Sequence, residues 1–436
     1  MDPIIILILF SLIILFGALG EFFFRKTGVP DVIWLMLFGY LIANFFGFNN
    51  NSSAMQSIIP IFVILTLIII LFDGGLNLKL GSVVKNSAAG AGMAILYFIL
   101  ATGLITGITY LLYLVGVFPG WDIWFGIILG AILGGTSSVI VMPLVNLANL
   151  GPKFQNLLSV ESAFNDALCI VVVLTIINYL QKAAYESLTI IFKNIAASFA
   201  IGIVFGVIIG LIWIYFLKKL SHTKGFSDYF YVLTLSLIIL LYVITDYLGG
   251  SAAIAIFIFG LVLGSGELLN KIFKTRFYTL DEEILVINKQ IAFLIKSFFF
   301  VLIGMLFVFV LKSFWVALLI TILLIGVRFL VINIMPTRKF LKKEKYLLYF
   351  FTPKGLAAGI LAISVASSGA IKNAKLFSNI VFSGIILSII FATVALFIYK
   401  QYNKKQSLLR KENKGKILQE TNNKLKNTNS IPVIRN

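Results

Sequence analysis

The sequence predicts an all-α, polytopic membrane protein with about 13 transmembrane helices. Hydrophobic residues make up 60% of the 436-residue chain and charged residues only 12%, and a soluble fold of this length has too little interior to hide such a composition. Apolar windows of about 20 residues recur along the chain, each long enough to cross a hydrocarbon core of about 30 Å as a helix. Lys and Arg gather in every second connection between these windows, as the positive-inside rule requires.

The apolar windows place the spans in order along the chain. The first window is interpreted as a retained span, because it is longer than a usual signal core and lacks a basic start and a small-residue cleavage site. Hydropathy puts the spans at roughly 3–24, 30–47, 57–78, 83–117, 122–147, 155–180, 188–217, 227–247, 250–266, 287–311, 314–335, 345–369 and 374–399.

Charge in the connections predicts the orientation. An odd number of spans leaves the termini on opposite sides, with the N-terminus outside and the basic tail after Phe397 in the cytoplasm, disordered or loosely helical near anionic lipid. The net charge of +18 is then mostly an orientation signal, and no nucleic-acid partner is predicted. The cation-rich connections hold Arg25, Lys26, Lys79, Lys85, Lys153, Lys218, Lys219, Lys224, Lys271, Lys274, Arg276, Lys289, Arg338, Lys339, Lys342, Lys343 and Lys345, and the alternate set holds only Lys182, Lys193, Lys312, Lys372 and Lys375.

The sixth span carries polar residues that the membrane would enclose. Asn165 and Asp166 lie side by side in the apolar stretch 157–180, and Glu161 lies five residues before Asp166. A carboxylate at that depth is costly and marks a functional site by default. On a helix Glu161 and Asn165 share a face, whereas Asp166 points about 100° away from Asn165.

Two spans are interrupted by small or helix-breaking residues. The fifth span carries Gly134, Gly135, Thr136, Ser137 and Ser138 at its middle, and the twelfth carries Thr352, Pro353, Lys354 and Gly355. Their equivalent positions predict an inverted repeat of spans 1–6 and 8–13, with span 7 as connector, and such pairs of broken helices indicate the midplane binding site of a transporter. The alternative is that the glycines only allow close helix packing.

Three cations fall within predicted spans and need a physical explanation. Arg328 is too central to reach the interface, so it requires a partner. Glu161 is the natural partner and leaves Asp166 as the titrating site, although direct pairing of Arg328 with Asp166 remains open. Lys354 is expected to offset carbonyl dipoles of a break or to oppose helix ends, and Lys296 to extend to the interface.

Two further side chains, one acid and one thiol, are given structural interpretations. Asp73, at the end of the third span, is interpreted as an interfacial turn former. A residue at the mouth of a cavity is its alternative. The single cysteine, Cys169, is interpreted as a small buried hydrophobe.

The residues resemble the electroneutral, Asn-Asp branch of the monovalent cation:proton antiporter superfamily, of the prokaryotic sodium/proton exchanger type. ESAFNDALCIV, Glu161–Val171, is similar to the Asn-Asp signature of this branch, and LFDGGLNL, Leu71–Leu78, to its acidic-Gly-Gly turn. FFFVLIGM, Phe298–Met305, resembles its tenth-span pattern, VRFL, Val327–Leu330, its buried-arginine span, and PKGLAAGILA, Pro353–Ala362, its second broken helix. The motifs occur in the family's order between Phe72 and Ala362.

The resemblance implies a homodimer in which a core domain moves against a dimerisation domain. The implied divisions are 1–80 for the first part of the dimerisation domain, 81–185 for the first half of the core, 186–220 for a linker helix, 221–312 for the second part of the dimerisation domain, 313–399 for the second half of the core, and 400–436 for the basic tail.

The resemblance also assigns roles to the candidate residues. It implies that Asp166 binds either a proton or a cation, supported by Asn165, and that Glu161 and Arg328 form a structural ion pair. The family's fifth span commonly reads Thr-Asp-Pro, whereas here Thr136 is followed by Ser137 and Ser138. Sodium is therefore expected at Asp166, Thr136 and Ser137, with Ser162 in the same ion-binding set, and the helices are expected to cross at Gly135, Ser138, Thr352, Pro353, Lys354 and Gly355.

These expectations combine into one functional hypothesis. The chain is expected to exchange Na⁺ or Li⁺ for H⁺ across the plasma membrane of a prokaryotic cell by alternating access, electroneutrally at one to one, for pH and sodium homeostasis. Neither a cofactor nor an enzymatic activity is predicted. A K⁺/H⁺ antiporter is the alternative, and a sodium-coupled solute symporter and a channel are weaker ones.

Overall fold

The predicted all-α class is confirmed. The computed structural model describes residues 3–46, 53–78, 80–118, 120–148, 150–181, 188–220, 229–273, 282–335 and 345–428. Within these residues the chain forms the helices α1 Pro3–Thr27, α2 Asp31–Phe46, α3 Ser53–Asn77, α4 Leu80–Leu114, α5 Ile123–Leu133, α6 Ser138–Leu147, α7 Pro152–Gln181, α8 Leu188–Leu220, α9 Phe230–Tyr247, α10 Ala252–Gly264, α11 Gly266–Phe273, α12 Glu282–Leu306, α13 Leu311–Ile334, α14 Lys345–Phe350, α15 Leu356–Ser368 and α16 Ala374–Thr428.

Length and composition fit a protein that crosses the membrane many times. Ten helical segments of the described chain are long and apolar enough to span a bilayer. Three shorter apolar helices, Asp31–Phe45, Ala252–Gly264 and Leu356–Ser368, fall where the second, ninth and twelfth spans are predicted. The number of thirteen crossings stays a prediction.

The predicted orientation also stays a prediction. Many of the loop cations on which it depends lie outside the described residues, namely Lys79, Lys182, Lys224, Lys274, Arg276, Arg338, Lys339, Lys342 and Lys343. The backbone of the tail is helical as far as Thr428 and continues α16 without interruption.

The two predicted interruptions are confirmed. The fifth predicted span consists of α5 and α6, separated by the non-helical residues 134–137, and the twelfth consists of α14 and α15, separated by residues 351–355. The two non-helical stretches meet, because the Ser137 amide donates to the Pro353 carbonyl at 2.9 Å. A hydrogen bond between the two breaks satisfies backbone groups that the interrupted helices leave open.

Glycine is required where the breaks approach their neighbours. A Cβ on Gly355 would overlap the side chain of Ser137, and a Cβ on Gly135 would lie 2.8 Å from the Cys169 sulfur on α7. Both contacts are closer than real side chains allow, so a methyl group at either position would push the elements apart.

The helices pack in two groups. In one, α10 packs against α3 and α8, and α12 packs against α2; in the other, α4 packs against α5 and α7, and α16 against α13 and α15. Contacts of α15 with α3 and α12 join the groups. Apart from α8, the predicted linker, the helices named in the first group fall in the predicted dimerisation segments and those in the second in the predicted core, and this division into domains stays a prediction.

Two polar residues of the first group make contacts that the sequence did not predict. The Lys296 ammonium pairs with the carboxylate of Asp31, the first residue of α2, at 2.7 Å, and its extension to the interface stays a prediction. Asp73 is not a turn former, because α3 continues past it to Asn77. Its carboxylate accepts hydrogen bonds from Asn288 at 2.7 Å and Asn77 at 3.0 Å. Gly75, two residues further on, contacts the α10 backbone, so this glycine serves close helix packing rather than a turn.

Candidate ion-binding site

Helix α7 places the three polar residues of the sixth predicted span in different environments. Glu161 and Asn165 are completely buried, whereas Asp166 is half-buried. The difference follows from the helical period, since Glu161 and Asn165 lie four residues apart on one face and Asp166 on another. The two carboxylates of this helix therefore face different neighbours.

Arg328 on α13 faces Glu161 with both ends of its guanidinium. Its Nη2 lies 2.7 Å from Glu161 Oε2, its Nη1 contacts Glu161 Oε1, and both side chains are fully buried. The remaining Nε donates to the Leu348 carbonyl at 3.0 Å. Leu348 lies on α14 just before the second break, so one arginine connects α7, α13 and α14. The alternative partner, Asp166, is not the one that Arg328 contacts.

Lys354 lies in the second break and reaches the first. Its Nζ donates to the Gly135 carbonyl at 2.7 Å and to the Tyr97 hydroxyl at 3.3 Å, and its amide donates to Ser388 Oγ at 2.9 Å. The ammonium thus offsets a carbonyl dipole at the break of the fifth predicted span.

Sequence reasoning missed Tyr97. This fully buried residue on α4 places its ring 5.4 Å from the Arg328 guanidinium carbon and 5.3 Å from Lys354 Nζ. An aromatic face attracts a cation at such distances. A tyrosine within an apolar helix carries no sequence signal for this position.

Hydroxyl and amide groups form a buried cluster beside the first break. Thr136 Oγ1 lies 3.5 Å from Ser162 Oγ and accepts a hydrogen bond from Asn165 Nδ2 at 3.3 Å. Among the described residues, the Asn165 side-chain oxygen has no hydrogen-bond partner. A buried oxygen without a donor is costly and is suited to contact a cation.

Asp166 faces a narrow cavity rather than this cluster. Ser138, the first residue of α6, places its Oγ 3.5 Å from Asp166 Oδ2. Both residues line a cavity of about 30 Å³ between α3, α7 and α15, which has room for one or two water molecules. The carboxylate is therefore reachable by a water or a small ion.

The other predicted site residues form the crossing itself. Ser137 packs its side chain against Gly355 and is almost fully buried, as is Thr352 in the second break. Pro353 contributes its carbonyl to the Ser137 amide. Ser137 also lines the cavity at Asp166, so its role as an ion ligand stays a prediction, and the hydroxyl of Ser138, predicted only as a crossing residue, lies beside Asp166.

This arrangement can bind a hard cation. Carboxylate and hydroxyl oxygens, such as those of Asp166 and Ser138, are the ligands that hard cations prefer. An all-helical membrane fold with two broken helices crossing beside such a carboxylate is that of a secondary transporter.

Comparison with known proteins identifies the family. A family model for "Sodium/hydrogen exchanger, transmembrane" matches residues 10–400, so the chain belongs to the sodium/hydrogen exchanger family. The predicted membership in the monovalent cation:proton antiporter superfamily is confirmed. The protein is a multi-span membrane transporter.

Individual relatives and a solved structure agree with this assignment. The chain is 27% identical over 318 residues to the "Probable Na(+)/H(+) antiporter 2" of Methanocaldococcus jannaschii, covering 69% of each chain. It is 30% identical over 207 residues to the "K(+)/H(+) antiporter NhaP2" of Shewanella baltica, covering 46% of this chain and 34% of that one. The sodium proton antiporter MjNhaP1 from M. jannaschii, solved at pH 8, matches the fold with a TM-score of 0.74 and 22% identity, over 92% of this chain and 98% of the other.

Proposed function

We propose that this protein exchanges Na⁺ or Li⁺ for H⁺ across the plasma membrane, with Asp166 as the carboxylate that binds either ion. The observation that carries the proposal is the contrast on α7: Asp166 is half-buried and lines a cavity, whereas Glu161 is fully buried against Arg328. Only the carboxylate without a fixed cationic partner is available for a transported ion.

Competition for one carboxylate accounts for coupled exchange. A proton and a metal cation use the same oxygens of Asp166, so binding of one excludes the other. Exchange follows if the protein moves Asp166 between the two sides only when an ion is bound. One proton exchanged for one monovalent cation moves no net charge, so the cycle is electroneutral.

Two cavities support alternating access along the groove between α3 and α15. The smaller cavity reaches Asp166 and is lined by Leu67 and Leu71 of α3 and by Leu356 and Ile360 of α15. A larger cavity of about 1040 Å³ is lined by Ile59 and Pro60 at the start of α3 and, among others, by Ile363 and Ser367 of α15. A sliding of α15 and its group of helices against α3 would open Asp166 to either side in turn.

The remaining groups have supporting roles in this proposal. Thr136, Ser162 and Asn165 offer further oxygens to the cation, and the Glu161–Arg328 pair holds α7 against the second break. The ammonium of Lys354 offsets the dipole of the Gly135 carbonyl, which the helix break has freed, and thereby fixes the crossing of the two breaks. We further propose two copies of the chain as the working assembly, with the N-terminus outside and the tail in the cytoplasm.

Potassium is the second candidate cation, because the Shewanella baltica relative is a K(+)/H(+) antiporter by name. Na⁺ and K⁺ use the same types of ligand and differ in size and dehydration cost. A sodium-coupled symporter is disfavoured by the cavity at Asp166, whose volume of about 30 Å³ is far below that of an organic-solute pocket.

Proton flux in proteoliposomes tests the proposal. Acid-loaded vesicles containing the protein and a pH-sensitive dye are exposed to Na⁺, Li⁺ or K⁺ salts. Dequenching by Na⁺ or Li⁺ that is unaffected by membrane potential supports the proposed electroneutral exchange. Dequenching by K⁺ alone selects the second candidate, and no response to any cation in vesicles with correctly folded protein contradicts the function.

A further inference from the structure

The feature that the family's residue pattern does not explain is Ser138. It is the first residue of α6, and its hydroxyl lies beside the Asp166 carboxylate, with 3.5 Å between Ser138 Oγ and Asp166 Oδ2. Both side chains line the same narrow cavity. Ser137, the residue before it, also lines this cavity and packs its side chain against Gly355.

The separation of these two oxygens suits a shared cation. An O–H···O hydrogen bond is usually about 2.7 Å long, so the 3.5 Å between Ser138 and Asp166 makes a weak one. Sodium is close to calcium in size, and a calcium ion lies about 2.4 Å from each of its oxygen ligands. Two adjacent ligands of such an ion are then about 3.4 Å apart. The two oxygens already have the spacing of neighbouring ligands.

The chemistry of serine allows the same residue to serve both states of the site. A hydroxyl donates one hydrogen bond and also carries two lone pairs. Without a cation, the Ser138 hydroxyl donates to the Asp166 carboxylate beside the N-terminus of α6, where the helix dipole favours negative charge. With a cation, the hydroxyl turns and offers its oxygen. Proline, which the Thr-Asp-Pro pattern has at this position, has no hydroxyl and no amide hydrogen.

We infer that Ser138 is a specificity-determining cation ligand that binds the transported monovalent cation together with Asp166. The site then keeps two adjacent oxygen ligands although the chain has Ser137 where the pattern has an aspartate. This inference rests on the proposed exchange function.

Substitutions at Ser138 separate its hydroxyl from its role in the fold. Ser138→Ala removes the ligand, Ser138→Thr keeps it, and Ser138→Pro removes both the hydroxyl and the amide hydrogen. Proline is favourable at the first position of a helix, and the extended backbone of Ser137, with ψ 118°, suits a residue before proline. Ser364→Ala is the matched control, because that hydroxyl donates to its own helix at the Ile360 carbonyl.

The experiment compares the cation concentrations that give half-maximal exchange in proteoliposomes. Loss of one oxygen ligand is expected to raise this concentration about tenfold in the alanine and proline variants, with a larger rise for Na⁺ and Li⁺ than for K⁺. The threonine variant and Ser364→Ala are expected to stay within about twofold. Melting temperatures of the purified variants show that each one folds.

The outcomes distinguish this inference from the proposed function. If the wild type exchanges a cation and Ser138→Ala has unchanged half-maximal concentrations for all three cations, Ser138 is not a ligand and only this inference fails. A threonine variant as weak as the alanine variant likewise contradicts a hydroxyl ligand. If the wild type exchanges none of the cations, the proposed function fails and this inference with it.

Discussion

The two carboxylates of α7 lie five residues apart and differ in almost every physical respect. Glu161 is fully buried and held by the guanidinium of Arg328. Asp166 is half-buried, lines a cavity, and has the hydroxyl of Ser138 at 3.5 Å from its carboxylate. A carboxylate whose charge is already neutralised can only brace the fold, whereas one without a cationic partner can exchange ions.

Removing the charge of Asp166 should have the largest effect on transport. Asp166→Asn keeps the shape of the side chain but takes away the group for which proton and cation compete, so exchange should fall below detection while the melting temperature changes little. Dye dequenching and thermal unfolding of the same preparation measure both. Appreciable exchange by this variant would assign the function to another group.

Breaking the Glu161–Arg328 ion pair should destabilise the fold instead. Arg328→Ala leaves Glu161 buried without its partner, which should cost about 3–5 kcal/mol of stability and reduce the yield of monodisperse protein. The double variant Glu161→Leu, Arg328→Met removes both charges and should recover most of the melting temperature, because an apolar pair replaces a buried ion pair well. A stable Arg328→Ala protein with no transport would place Arg328 at the ion site.

The contact between the two helix breaks should tolerate little change. Gly355→Ala adds a methyl group that overlaps Ser137, and overpacking of this kind costs about 1–3 kcal/mol of stability. We expect the variant to be inserted in the membrane but to show a clear loss of exchange. Gly103→Ala on α4 is the control, since no atom lies within 4 Å of its added Cβ. Equal exchange by the two variants would show that the breaks do not need close contact.

Tyr97→Phe should have the smallest effect and sharpens the comparison. The variant keeps the ring beside Arg328 and Lys354 but removes the hydroxyl that accepts from Lys354 Nζ at 3.3 Å. Since Gly135 still accepts from the same ammonium, the loss should be about 1 kcal/mol of stability with nearly normal exchange. Complete loss of exchange would instead make the tyrosine hydroxyl part of the ion path.

The sequence predicts those parts of the site that follow from local rules. Glycine and proline in two apolar windows predict the broken helices, and the obligate charge of Arg328 in a third window requires a buried partner. The helical period separates Glu161 from Asp166. Each inference needs only the residue types and their spacing within one span.

Contacts between distant elements could not be predicted in this way. Ser137 and Ser138 are adjacent and chemically identical, and only the angle at which α6 leaves the break decides that the second one faces Asp166. The pairing of Lys296 with Asp31 likewise depends on how α12 packs against α2. Both contacts depend on tertiary packing, which produces no periodicity and no bias of composition in the sequence.

Labelling with an apolar carbodiimide tests the central claim most directly. The reagent reacts with protonated carboxyl groups that it can reach within an apolar site, and mass spectrometry of the digested protein separates a modified Asp166 from a modified Glu161. The account predicts labelling of Asp166 that decreases as sodium or lithium is raised, with Glu161 unmodified throughout. Labelling of Glu161, or labelling of Asp166 that no monovalent cation reduces, would contradict it.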